Sequence, residues 1–179
     1  DGDFANTVGF KARGGHGITP GGAALSYTGS TARPAGAMKT AMRQSLTELA
    51  VPTPGRGLHE ITPEVAGWVA AQGIETGLLT VFCRHTSASL CIQENAAPEV
   101  RGDVVRWLDR LAPENAGYAH DDEGPDDMPA HLKAILTGVS LAIPVAGGRP
   151  ALGTWQGIYL VEHRRAPHRR KVVLHLLGA

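Results

Sequence analysis

The sequence predicts a single α+β domain, an antiparallel sheet system with about three helices, and three observations carry that expectation. Strand-like runs lie at both ends of the chain with helical patterns between them, which excludes a regular βαβ alternation. Three prolines, Pro63, Pro98 and Pro129, stand in the first turn of a helical pattern, where a missing N–H costs nothing because the first-turn N–H groups have no intrahelical acceptor. The chain has 179 residues, and once an N-terminal stretch without a core pattern is set aside, about 140 remain, the size of one hydrophobic core.

That stretch is residues 1–37. Gly14, Gly15, Gly17, Gly21, Gly22, Gly29 and Gly36 break every periodicity there, so it reads as an extension or as residues added ahead of a natural start at Met38. The domain is expected to span residues 38–179.

The first strand is read from Met42 to Val51, ended by Pro52, Pro54 and Gly55. Thr62-Pro63-Glu64 then supplies an N-cap, a first-turn proline and a first-turn acid for a helix that carries Val65, Trp68 and Val69 and stops at Gly73. Leu78 to Cys83 and Ala88 to Gln93 are two short apolar strands. His85-Thr86-Ser87 lies between them, so these polar side chains sit at a sheet end. After Glu94-Asn95 a helix opens at Pro98, with Val100, Val104, Trp107, Leu108 and Leu111 expected to form its buried stripe. A third helix begins near Asp127, capped by Asp126 or Asp127, and is expected to bury Leu132, Ile135 and Leu136 before Gly138. Val139 to Val145 alternates as a half-buried strand in which Pro144 marks an edge or a bulge, and Gly147-Gly148 turns the chain. Two strands close the sequence, at 158–162 and 172–177, with a basic loop over residues 164–171 between them.

Charge and composition narrow the partners. Lysine plus arginine equals aspartate plus glutamate at 17 each, so no global field calls for nucleic acid or an anionic membrane. No segment approaches the roughly 20 apolar residues of a membrane span. Cys83 and Cys91 lie in apolar surroundings and read as buried thiols, and the location expected is cytoplasmic.

The densest titratable chemistry lies between His120 and His131, where five carboxylates separate two imidazoles. His131 falls on the first turn of the third helix, and a loop folding back would bring His120 to it. A third imidazole, with His85 the best candidate, would complete a three-nitrogen site that leaves zinc an open position. The same spacing also suits an acidic solvated loop with an ordinary helix cap and unrelated histidines.

His85-Thr86-Ser87-Ala88-Ser89-Leu90 with Glu94-Asn95, then Asp103, His120 to Glu123-Gly124, Pro129-Ala130-His131, and Leu152 to Ile158 with its Gly-Thr-Trp-Gln core, resemble the YjbQ-like family, described as secondary thiamine-phosphate synthases. The likeness covers residues 42–178. It implies a jelly-roll-like antiparallel β-sandwich assembled as a homotrimer. It implies a pocket whose imidazoles are His85, His120 and His131, as catalytic groups and as metal ligands, with Glu94 beside them as a catalytic carboxylate. Thr86, Ser87, Asp103, Glu123, Asp127, Gln156 and Trp155 surround them. The basic loop itself reads first as a solvated hairpin and second as a phosphate-binding loop, with Arg170 the member best placed to face inward. The family more often has asparagine at Asp127, and a carboxylate there could shift a neighbouring histidine or add a cation ligand.

The implied reaction joins a pyrimidine methyl diphosphate to a thiazole phosphate, which demands charge stabilisation for departing pyrophosphate. A divalent cation is expected, zinc at the histidines or magnesium with the diphosphate, and the substrate is a small phosphorylated molecule. Gly147-Gly148 leads into a strand and is no phosphate cradle, so the activity expected is weak or secondary. A zinc hydrolase with Glu94 or Asp103 as base, and a non-catalytic trimeric binding protein, are the other two readings. Blander roles stand beside these: Glu94 and Asp103 as caps or ion pairs, Trp155 as core. His16, His59, His163, His168 and His175 are assigned no function, all but His175 lying near loops.

Overall fold

The computed structural model describes residues 41–179. Its elements, in chain order, are β1 (Arg43–Thr53), β2 (Gly57–Glu60), α1 (Thr62–Ala71), β3 (Thr76–Cys83), β4 (Ala88–Glu94), α2 (Pro98–Leu111), α3 (Asp127–Thr137), β5 (Ser140–Ala146), β6 (Arg149–Pro150), β7 (Gln156–Glu162) and β8 (His168–Gly178). They form two antiparallel sheets, one in the order β1-β8-β3-β5-β6 and one in the order β2-β7-β4. The expected α+β sandwich with three helices is what the chain adopts, and the reading of residues 1–37 lies outside the described residues.

Alternation explains the larger sheet. In β8, Arg170, Val172, Leu174 and Leu176 point into the core while Arg169 and Lys171 face out, and β1 pairs with this strand along its whole length from Arg43↔Gly178 to Thr53↔His168. β7 has no polar face: Gly157 to Glu162 is buried throughout, because the strand lies between β2 and β4 and under α1. Leu79, Val81, Leu160, Leu174 and Leu176 belong to the main core cluster, each burial worth about 1.5–3 kcal/mol. Gly77 and Gly178 face one another across β3 and β8, and a Cβ on Gly178 would lie 2.7 Å from the Gly77 Cα.

The helices depart from expectation in informative ways. Thr62 is the first helical residue of α1, not its cap, and its hydroxyl accepts the Ile158 N–H at 2.8 Å, tying the helix to β7. In α2 only Leu108 is fully buried, while Trp107 and Leu111 are exposed, because the helix rests on a small second cluster with Leu58, Tyr159 and Val161. α3 is rotated from its predicted stripe. Its inward face is Pro129, Ala130, Lys133 and Ala134, whereas Ile135 is 78% and Leu136 57% exposed. Small residues at 130 and 134 let the helix approach β4, and Lys133 is tolerated inside because its ammonium meets Asp109 of α2.

Two short strands, β2 and β6, had no periodic signal, being four and two residues long. The basic loop is shorter than expected, since His168 to Lys171 already pair with β1. His163 is not a loop-side bystander: it is buried and bonded to Ser89 at 2.8 Å. His59 belongs to β2. Pro144 sits where β5 is nearly an edge, with only Val145 and Ala146 paired beyond it. Both cysteines are free thiols. No described helix is long and apolar enough to cross a membrane.

Candidate functional site

The junction between β3 and β4 lies against the start of α3, because α3 packs on β4. This brings residues 84–87 to His131, whose Nδ1 donates to the Thr86 carbonyl at 3.0 Å. Asp127, one turn earlier on the same helix, places Oδ2 3.4 Å from His131 Nε2. His120 reaches the same oxygen from the preceding loop, Nε2 to Oδ2 at 2.8 Å, and the two imidazole centroids are 5.6 Å apart with 41° between their planes. One ligand atom from each of His120, Asp127 and His131 lies within 4.8 Å of the others.

Arginine sets the acidic loop in place. The Arg164 guanidinium bonds the other oxygen of Asp127 and donates to the Glu123 carbonyl at 2.7 Å. It also approaches the Asp126 carboxylate at 3.3 Å, while the Arg165 N–H donates to Asp126 Oδ2 at 2.8 Å. Burial pushes the Asp126 carboxyl up, but the Arg165 N–H and the Arg164 charge outweigh it and hold it below the usual range. Asp127 therefore has one oxygen committed to Arg164 and one shared between imidazoles.

Donor roles follow from the partners. Nδ1–H of His131 faces a carbonyl, so its Nε2 carries the lone pair, fixed by the backbone contact that orients metal-binding histidines. His120 Nε2 donates to Asp127, and a cation binding at that nitrogen would displace this proton to solvent or to the other ring nitrogen. Two imidazoles and a carboxylate oxygen are a donor set that zinc and other divalent first-row ions accept.

His85 is placed differently from the expectation that made it the third ligand. Its Nε2 accepts the Lys171 N–H at 2.7 Å, and burial, reinforced by the Arg170 charge, lowers its pKa, so it is neutral with its proton on Nδ1. It lines a cavity of ≈ 720 Å³ with Thr86, His131 and Arg84, and the remaining walls are mostly apolar, among them Phe82, Ile135 and Val139. The residues whose ligand atoms converge closely enough that they could hold a metal ion are His120, Asp127 and His131.

The remaining expected residues divide. Glu123 is on the rim, 3.5 Å from Arg164. Ser87 adjoins through its carbonyl, 3.5 Å from the Arg170 guanidinium. Arg170 does face inward, but it holds Glu162 through two bonds, of 2.7 and 2.6 Å, and so is engaged inside the protein. Glu94, Gln156 and Trp155 are at the opposite end of β4, lining a separate cleft. Asp103 is on the exposed side of α2, paired with Arg106. Sequence reasoning missed Arg164, Glu162, Ser89 and Lys133. Arg164 lay in the basic loop, but nothing distinguished it from its neighbours, and Lys133 carried no signal at all.

Comparisons with known proteins agree with this architecture. The model of the family described as UPF0047 protein YjbQ-like matches residues 47–179. A UPF0047 protein from Synechocystis is 48% identical over 137 residues, 76% of this chain and 93% of its own length. The UPF0047 protein YjbQ of Salmonella typhimurium is 49% identical over 124 residues, covering 69% and 90%. The crystal structure of a YbjQ-like protein of unknown function from Sulfolobus solfataricus superposes with a TM-score of 0.73 at 26% identity, over 78% of this chain and 100% of that one. A yjbq/upf0047 family structure from Clostridium acetobutylicum gives 0.65 at 37% identity, over 74% and 98%.

Proposed function

The chain belongs to the UPF0047 YjbQ-like family, and from that premise we propose that it is a transferase of the thiamine-phosphate synthase type, weak or secondary in that reaction, with a divalent cation held by His120, Asp127 and His131. The observation that carries this reading is the convergence of those three ligand atoms within 4.8 Å, with His131 also lining the ≈ 720 Å³ cavity. A cation bound there supplies positive charge to the departing diphosphate.

The chain's own groups do the rest. Thr86 fixes the His131 ring through its carbonyl, and Arg164 fixes the Asp127 carboxylate, so the donor set is organised before substrate arrives. His85, neutral and with Nε2 occupied by Lys171, has an Nδ1–H to give to a phosphate oxygen. Phe82, Ile135 and Val139 offer apolar walls for a heterocycle. The hydrolase reading is weaker on this geometry, because Glu94 and Asp103, the bases it needs, lie away from the ligand group.

A homotrimer is part of the proposal. The outer face of the larger sheet exposes Leu46, Leu78, Phe82 and Leu177, and Phe82 and Ile135 continue this apolar surface into the cavity. A second copy covering that face would close the cavity's open side. Light scattering at dilute concentration tests the assembly, and a monomer mass would remove it.

The functional test incubates the protein with the pyrimidine methyl diphosphate and the thiazole phosphate, with magnesium or zinc present or chelated. Thiamine phosphate is measured beside inorganic phosphate. Coupling that needs the cation and falls at least ~100-fold in His131→Ala supports the reading. Coupling at the wild-type rate in that variant would mean background chemistry and end the transferase assignment.

A further inference from the structure

The cleft at the far end of β4 is built as a binding site in its own right, and we propose that it takes a planar, amino-bearing heteroaromatic ring stacked on Trp155 with its exocyclic nitrogen on Glu94. Glu94 ends β4 directly opposite Gln156, which begins β7, and the Asn95 N–H donates to the Trp155 carbonyl at 3.1 Å, so the ladder pins the backbone of all three. Six residues along a strand separate Ala88 from Glu94, about 20 Å at ~3.3 Å per residue. A ligand here does not touch His131 of the same chain.

The Trp155 indole is 67% exposed and belongs to neither core cluster, although its backbone is fixed. A large aromatic side chain held at a rigid strand end but left in solvent contributes little to stability and offers a stacking face. It borders a cleft of ≈ 410 Å³ with Ile92, Gln93, Glu94, Ala96 and Gln156. Below it, the Tyr159 hydroxyl donates to the Glu94 carbonyl at 3.3 Å, and Gly157 lets Glu60, Tyr159 and Asn95 close in around it, since a Cβ there would meet each within 3.0–3.2 Å.

The polar atoms define the ligand. Gln156 Oε1 accepts the Gly153 N–H at 2.8 Å and Gln93 Oε1 accepts the Glu94 N–H at 2.8 Å, so among the described residues both side-chain amides keep their NH₂ groups as donors. None of the ion pairs among the described residues uses the Glu94 carboxylate. The cleft therefore presents one aromatic face, one anionic acceptor and two N–H donors, with no lysine or arginine in its lining. A free phosphate would meet the carboxylate without a cation, and a purely apolar ligand would leave all three polar groups unpaired. An amino group beside a ring nitrogen satisfies both kinds of partner at once.

The test is titration of the full chain with 2,4-diaminopyrimidine, with pyrimidine as control, followed by tryptophan emission and calorimetry. The proposal expects saturable quenching by the diamine alone, an affinity about tenfold weaker in Glu94→Gln, and no binding in Trp155→Ala, whose fold is checked by circular dichroism. His131→Ala, which breaks the cation group, should bind the diamine as wild type does, so failure of the proposed transferase activity leaves this result intact. Equal response to pyrimidine, no binding at all, or binding that survives both cleft substitutions would overturn the proposal. So would a Trp155 emission that is blue-shifted and unresponsive in a species heavier than one chain, because a second copy would then fill the cleft.

Discussion

Glu162 and Asp127 are both buried carboxylates, each beside an arginine and histidine, yet they are built for opposite ends. Glu162 is closed: Arg170 donates twice, Thr53 and the Arg164 N–H donate once each, and no side of the carboxylate faces solvent. Asp127 is open on one side, because its second oxygen points between His120 and His131, which are themselves only partly buried. The contrast separates cohesion from capture. A charge whose every lone pair is satisfied by the protein holds strands together, while one whose second oxygen lies between two partly exposed imidazoles is placed to share a cation with them.

The largest effect should come from breaking the closed set. Arg170→Ala leaves Glu162 charged, buried and without its main partner, so urea unfolding should show a loss of about 3–5 kcal/mol. His131→Ala should cost stability far less, below about 1.5 kcal/mol, while abolishing cation binding, because its ring is partly exposed and sits outside the core. If the two variants lose equal stability, the distinction between the sites fails.

Acid sharpens the comparison further. His163, buried and hydrogen-bonded to Ser89, has its pKa driven down to about 3, first by burial and then by the Lys133 charge. Its folded value lies below the unfolded 6.5, so the unfolded chain binds the proton first and stability falls as pH drops from 6.5 toward 3, by about 1.4 kcal/mol per unit. Burial raises Glu162, but Arg170, the Arg164 N–H and Thr53 outweigh it and lower it overall. Its contribution is present above the unfolded carboxyl value near ~4.3 and is lost as pH falls through the folded one. Denaturant midpoints from pH 7 to 4 should therefore slope downward in wild type and flatten in His163→Gln. A flat wild-type profile would contradict the buried neutral histidine. The smallest effect belongs to Asp103→Ala, where an exposed i,i+3 pair is lost and stability should change by no more than ~0.5 kcal/mol, with cation affinity untouched.

Much of the fold was legible in the sequence because period and punctuation agreed. β7 and β8 announced themselves through apolar runs and alternation, and Pro63, Pro98 and Pro129 marked three helix starts. α3 misled for a physical reason: its inward face uses Ala130, Ala134 and a paired Lys133, so the residues with the largest side chains, Ile135 and Leu136, advertise a face that the chain itself does not bury. The site was half legible. His120 and His131 were joined by their short separation in sequence, and Asp127 was singled out through the family resemblance as a carboxylate that could add a cation ligand, whereas Arg164 was masked among several arginines. Choosing between them needs the distances that bring residues 37 positions apart into contact.

The central claim is that Asp127, and not His85, completes the cation group, and calorimetric titration of zinc into the purified chain tests it most directly. The account predicts one site per chain with proton release, at least ~tenfold weaker in Asp127→Asn, lost in His131→Ala and unchanged in His85→Ala. Binding that survives Asp127→Asn but disappears in His85→Ala would contradict it.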